Sequence, residues 1–197
     1  MTAVPKGIPQ IAALTAVLYA ARRYYRNWGA TKGESQLRLP GDELVGDPVI
    51  QVTEAVWIEA PPATIWPLLL QIGQNRGEER QQLAAGDVLR LTPQGWMGLR
   101  DGLSLRVDAV TPEHSIVLRA VSPNLPKLVW SFHLQPHWDH HTRLLARARV
   151  GLRHPGEVFA VELARPAITL MTRAVLLGMK RRAERQMNYL ATSEFYC

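Results

Sequence analysis

The stretch Ile50–Gln74, IQVTEAVWIEAPPATIWPLLLQIGQ, constrains the fold more than any other part of the chain. Its first half alternates. Ile50, Val52, Val56 and Ile58 share one parity, and Gln51, Thr53 and Glu59 share the other, as in a half-buried strand. Glu54 and Trp57 break the alternation. Ala60-Pro61-Pro62 then ends any ladder, because proline brings no N–H. Proline is at home in the first turn of a helix, where that N–H would have no partner anyway. The period changes at once: Ile65, Leu68, Leu69 and Ile72 follow the i, i+3, i+4, i+7 spacing beside Trp66, and Gly73 is a stop signal. Pro67 fits such a helix only close to its start. A strand that turns through two prolines into an apolar helix is the expected opening unit of the domain.

The remaining pattern supports a sheet followed by a long helix. Before the opening strand, Gly29–Pro48 is rich in Gly, Pro and charge and reads as an extended leader. After it, Gln74–Ala85 is a polar loop with a short helix, and the LTPQGWMGLRDG segment is turn-rich. Short strands recur at Val88–Leu91, Leu103–Ala109, Ile116–Ala120, Lys127–Leu134 and Thr142–Leu152. The last of these alternates Leu144, Ala146, Ala148 and Val150 with Arg143, Leu145, Arg147 and Arg149. A face of Ala and Val leaves room for a helix or a ligand, and the arginine face reads as solvated. Glu157–Tyr189 is helical, and Pro166 is expected to divide it into Val158–Ala164 and a second piece. Ile168, Met171, Val175 and Met179 form a stripe on that second piece. The arrangement is α+β, and 197 residues suffice for one domain that buries roughly 70% of its unfolded surface.

The net charge of +6 is concentrated at the two ends. Lys6, Arg22, Arg23, Arg26, Lys32 and Arg38 lie in the first 38 residues, and Arg173, Lys180, Arg181, Arg182 and Arg185 lie near the C-terminus. Such ends are either solvated helix faces or contacts for anionic lipid. Nucleic acid is not expected, because no aromatic residues are interleaved with the basic tail. Ile8–Ala21 is apolar, but its roughly fourteen residues fall short of the roughly 20 that span a bilayer. It is expected as an extra N-terminal helix, packed on the domain or resting on a membrane surface. Cys197 is the single cysteine, which excludes a disulfide framework or a CxxC metal site and suits a cytoplasmic location.

Several phrases in order resemble one family: WGAT (Trp28–Thr31), LPGDELV (Leu39–Val45), IEAPPATIWPLLLQIGQ (Ile58–Gln74), AAGDVL (Ala84–Leu89), WSFHLQP (Trp130–Pro136), TRLLARARV (Thr142–Val150) and LGMKRRAE (Leu177–Glu184). The chain resembles the SRPBCC, or START-like, superfamily, and within it the bacterial polyketide-cyclase/dehydrase-like proteins of unassigned function. The resemblance implies a helix-grip fold, a sheet wrapped around a long C-terminal helix with an apolar cavity between them. It spans most of Trp28–Glu184, and the expected boundaries are 1–48 for the N-terminal helix and leader, 49–190 for the helix-grip domain and 191–197 for a tail. Relatives usually carry a longer, aromatic-rich insert after the QIGQ-like phrase, where this chain has the short, polar QNRGEERQQLAA.

His133, His137, Asp139, His140 and His141 are suitable metal ligands by type, but they bracket a strand-to-strand turn, so no metal or cofactor is expected. Glu54, Glu59 and His114 show no pairing in the sequence, and no catalytic signature carries over, so no catalytic residue is assigned. Trp57, Trp66, Trp96 and Trp130 lie in elements that could border the cavity. Trp66, Trp96, Trp130, Phe132, Met171 and Val175 are expected to line it. The expected function is non-enzymatic binding of a small apolar or lipid-like molecule, with peripheral membrane contact through the basic ends. The alternatives are a cyclase or dehydratase acting on a polyketide-like substrate, and a membrane-associated interaction module.

Overall fold

The computed structural model describes residues 27–72, 83–92, 102–122, 126–138 and 140–194. In chain order its elements are α1 (Lys32–Gln36), β1 (Ile50–Ile58), α2 (Pro62–Leu69), β2 (Val88–Arg90), β3 (Ser104–Thr111), β4 (Ser115–Ala120), β5 (Lys127–His137), β6 (His141–Gly151) and α3 (Val158–Glu194). The expected helix over residues 8–21, the turn-rich segment around Trp96, the stop at Gly73 and most of the polar loop lie outside the described residues.

The strands make one antiparallel sheet in the order β1-β6-β5-β4-β3-β2. Pro61 caps α2 and Pro62 opens it, as the sequence predicts; the helix ends at Leu69, so Ile72 lies in the turn beyond it. Register follows the pleat. Glu54, Ala146, Phe132 and Ile116 form one row across the inner face, and Val52, Ala148, Trp130, Leu118 and Val107 form the next. A shift in pairing between Val107 and Ala109 marks a bulge, which bends the sheet locally.

Helix α3 packs on β1, β6 and α2 across this inner face. Its buried line runs through Val161, Thr169, Thr172, Leu176, Met179 and Ala183. The two threonine hydroxyls donate to the carbonyls of Arg165 and Ile168 one turn back, which lets them lie in an apolar contact. Lys180 ties the helix to the sheet by donating to the Trp57 carbonyl at 2.7 Å. Pro166 does not divide the element: α3 runs unbroken across it. The reason is packing on both sides of the proline. Val161 is held in a cluster with Ile50, Val52 and Val150, and Leu176 and Met179 are held in the main core, while Pro166 itself faces solvent.

The leader also departs from the expected extended chain. It folds into α1, with a capping box between Thr31 and Glu34, and a 3-10 turn at Asp42–Leu44. It lies on the outer face of the sheet, where Val45 packs with Val117 and Val129. Residues 27–29 run along the free edge of β1. The Thr53 amide donates to Asn27 Oδ1 and the Ala55 amide to the Trp28 carbonyl, so this edge does not present bare donors. Gly29 sits at φ +69° in that close approach, and a Cβ there would collide with the Ala55 carbonyl oxygen.

Candidate functional site

The inner face is built almost wholly of hydrocarbon. Ile58, Ile65, Leu69, Leu105, Ile116, Leu118, Trp130, Phe132, Leu144 and Leu176 form its buried centre. Around them sit half-buried apolar side chains from every bordering element: Trp66 and Ile72 after β1, Leu91 after β2, Val110 on β3, and Met171, Val175 and Met187 on α3. Five of the six predicted lining residues therefore meet in one cluster. Trp130 and Phe132 are among its buried members, with rings 4.8 Å apart, and Trp66, Met171 and Val175 are partly buried and packed against it. The sixth, Trp96, is outside the described residues. Trp57 points the other way, 44% exposed on the outer face beneath the Arg143 guanidinium.

Two polar groups interrupt this hydrocarbon. The Trp130 indole N–H is buried and has no acceptor among the described residues. Glu54 is fully buried, neither of its oxygens accepts a hydrogen bond there, and the Arg173 guanidinium stands 3.9 Å away while stacking over Trp28. Burial pushes the Glu54 carboxyl up to about 7, against the pull of Arg173. Sequence reading passed over Glu54 as a blemish in the alternation. Its even parity, shared with Ile50, Val52, Val56 and Ile58, was the signal that the carboxyl belongs to the apolar face.

The outer face corrects the reading of the β6 arginines. Arg147 is 1% exposed, not solvated. Its guanidinium donates to Thr53 Oγ1, to the Leu37 and Glu34 carbonyls and to Asp42 Oδ2, the last at 2.7 Å. Arg149 reaches Asp42 Oδ1 at 2.9 Å, and Arg143 makes a two-point contact with Glu34. Three arginines thus fasten the leader to the sheet. Burial works to raise the Asp42 carboxyl, yet the Leu39 amide and the two guanidiniums outweigh it and hold it below its ordinary value. The contact with Arg143 holds Glu34 at about 2. His133 shares this layer, bonded to Ser131 Oγ; burial, with Arg147 beside it, lowers it to about 4, so it is neutral.

The histidine-rich turn is an aromatic stack. His137 packs edge-on against Trp57 and Trp138, and His141 against Trp138, while His133 lies apart in the leader layer. Among the described residues no three His, Cys, Asp or Glu side chains come together as a metal site. Among the described helices none is long and apolar enough to cross a membrane.

No protein-family model and no curated protein matches the chain. Solved structures do. The Polyketide_cyc-like protein Cgl2372 from Corynebacterium glutamicum is 15% identical over 71% of this chain and 94% of its own, at a TM-score of 0.50. The Aha1 dimer from Colwellia psychrerythraea is 14% identical over 69% of this chain and 97% of its own, also at 0.50. Norcoclaurine synthase from Thalictrum flavum, solved with a transition-state analogue, is 13% identical over 72% and 98% at 0.49. At such identities the likeness to the first two establishes a shared fold.

Proposed function

We propose that this chain, which has the START-like helix-grip fold, binds a small apolar molecule carrying one hydrogen-bond acceptor between its sheet and its C-terminal helix. The observation that carries the reading is the Trp130 indole N–H, buried with no acceptor among the described residues on an otherwise hydrocarbon floor. A buried donor without a partner costs about 1–3 kcal/mol, so a ligand carbonyl or ether oxygen that meets it gains both orientation and affinity. The half-buried rim of Trp66, Ile72, Met171 and Val175 supplies the apolar contact for the remainder of the molecule.

A neutral solvatochromic dye such as Nile red tests this directly. Saturable one-to-one uptake is expected, and 2-decanone should displace the dye better than decane. Trp130→Phe should remove the ketone's advantage, about 2–10-fold for one net hydrogen bond, and leave decane unchanged. Failure of the dye to saturate, or an unchanged ketone preference in the variant, removes the reading.

A second reading rests on Glu54. A buried carboxyl that titrates near neutrality, in the same row as Phe132, has the pKa of a general acid or base, as a cyclase or dehydratase requires. It predicts turnover of a polyketide-like substrate that Glu54→Gln abolishes. Binding without turnover leaves the first reading alone.

A further inference from the structure

Among the described residues a cavity opens on the outer face. It is a cleft of about 340 Å³ where the leader stops short of the sheet, lined by Leu44 and Val45, by Arg106 of β3, Arg119, Ala120 and Val121 at the end of β4, Lys127, Leu128 and Val129 of β5, and Arg153 after β6. That volume lies at the small end of the range for ligand pockets, about 300–1,000 Å³.

Its charge is one-sided. Arg106, Arg119, Lys127 and Arg153 line it, and no carboxylate does. Arg106 and Arg119 are direct cross-strand partners on the outer face, in a row that continues through Val129 to Arg149. Like charges directly opposite one another on a sheet are destabilising. In this row Arg149 is matched by Asp42 at 2.9 Å and Arg119 by Asp108 at 3.1 Å. Arg106 and Lys127 are matched by no carboxylate among the described residues. Lys127 lies on the face of Val129, two residues away, opposite Gly151, over which Val45 packs. Leu44, Val45, Val121 and Val129 give the same cleft an apolar wall. Arg106 and Lys127, next to this hydrocarbon wall, fit a molecule that has an anionic head and a short apolar body.

We propose that the cleft between Val45 and the β3–β5 ends is a second binding site, separate from the inner face, for a small amphipathic anion bearing a phosphate or carboxylate head. Arg106, Arg119, Lys127 and Arg153 take the head, and Leu44, Val45, Val121 and Val129 take the body.

The test is a methyl-resolved NMR titration of the full chain with hexyl phosphate, inorganic phosphate and hexanol. Hexyl phosphate should give saturable shifts at Leu44, Val45, Val121 and Val129, while hexanol should leave them unmoved. Arg106 and Lys127 are exposed, so the double variant Arg106→Gln/Lys127→Gln should fold and should bind at least tenfold more weakly. The matched control Arg181→Gln/Arg182→Gln removes the same charge from the exposed side of α3 and should change binding less than twofold. A second arm uses flotation with vesicles of phosphatidylcholine containing phosphatidylserine. Flotation lost only in the Arg106/Lys127 double variant assigns the head to a bilayer lipid, and hexyl phosphate binding without flotation assigns it to a free molecule. Absent shifts at these methyls, or equal weakening in both double variants, overturns the site.

Discussion

Arg147→Met offers a sharp test of how this fold is held together. The arginine is 1% exposed and donates to four acceptors, three of them in the leader: the Glu34 and Leu37 carbonyls and Asp42 Oδ2. Methionine fills similar volume and supplies none of these bonds. Asp42 keeps Arg149, so its charge is not stranded, but the two carbonyls and the Thr53 hydroxyl lose a donor. Three buried or part-buried acceptors left without their donor, at about 1–3 kcal/mol each and discounted for the part-buried carbonyls, bring the loss to about 3–5 kcal/mol. At about 2–4 °C per kcal/mol for a chain of this size, the melting temperature should fall by roughly 6–20 °C. The loss should also have a place. Leu39 and Val45, whose burial contributes about 1.5–3 kcal/mol each, depend on the leader staying docked. Hydrogen exchange should therefore speed up at residues 32–48 and in their β4–β5 partners Val117 and Val129, while Phe132 and Leu144 on the inner face keep their protection. Arg147→Lys should recover little, because an ammonium cannot span four acceptors as the guanidinium fork does. A loss below about 1 kcal/mol, or exchange raised evenly over the sheet, would refute the assignment of Arg147 as the leader's anchor.

Three further outcomes follow from the same contacts. Glu54, raised to about 7, contributes stability that is complete below its ordinary 4.5 and is lost as pH rises through 7, whereas His133, lowered to about 4, contributes stability that is complete above 6.5 and is lost as pH falls toward 4. The two slopes oppose each other between about pH 4.5 and 6.5, so urea midpoints of the wild type should be nearly flat there. Glu54→Gln should expose the His133 slope and raise stability at pH 8.5 by up to about 3 kcal/mol; identical pH profiles for variant and wild type would exclude this. Glu34, held at about 2, should add an acid limb to the same titration, stable above about 4.5 and failing as pH falls, which Glu34→Gln removes. Gly29→Ala should destabilise by more than about 3 kcal/mol, since its φ of +69° and the Ala55 carbonyl leave no place for a methyl group, and thermal melts decide it.

Much of the architecture was legible because each signal was local. The parity of β1, the prolines that open α2, the alternation of β6 and the hairpin before His141 each depend on a few neighbouring residues, and the structure keeps them. The readings that failed depended on what lies across the sheet. Arg147 and Arg149 alternate with apolar residues as solvated arginines do; only the arrival of Asp42, more than a hundred positions earlier in the chain, makes them buried anchors. Pro166 has the local grammar of a break, and packing on either side of it outweighs one missing hydrogen bond. The floor of the candidate site was readable from Trp130 and Phe132, which sit on a clear strand. Its buried carboxyl was not, because Glu54 has no sequence neighbour to pair with.

The leader explains how one sheet can present two different environments. A sheet with one solvated face would leave Thr53, Ser131, His133 and Arg147 in water, and their strands would show simple alternation. Here β1, β5 and β6 each bury consecutive residues, because α3 covers one side and the leader the other. On the outer side, Asp42 and Glu34 neutralise the arginines beneath the leader. Where the leader ends, at Leu44 and Val45, that neutralisation ends too, and Arg106 and Lys127 are left facing a cleft with no acid in its wall. On the inner side the Glu54 carboxyl is pushed up to about 7 beside Arg173, and the Trp130 indole N–H meets no acceptor among the described residues. The same covering segment therefore separates the two proposed sites, a largely apolar one within the grip and one at its outer margin where Arg106 and Lys127 favour an anion.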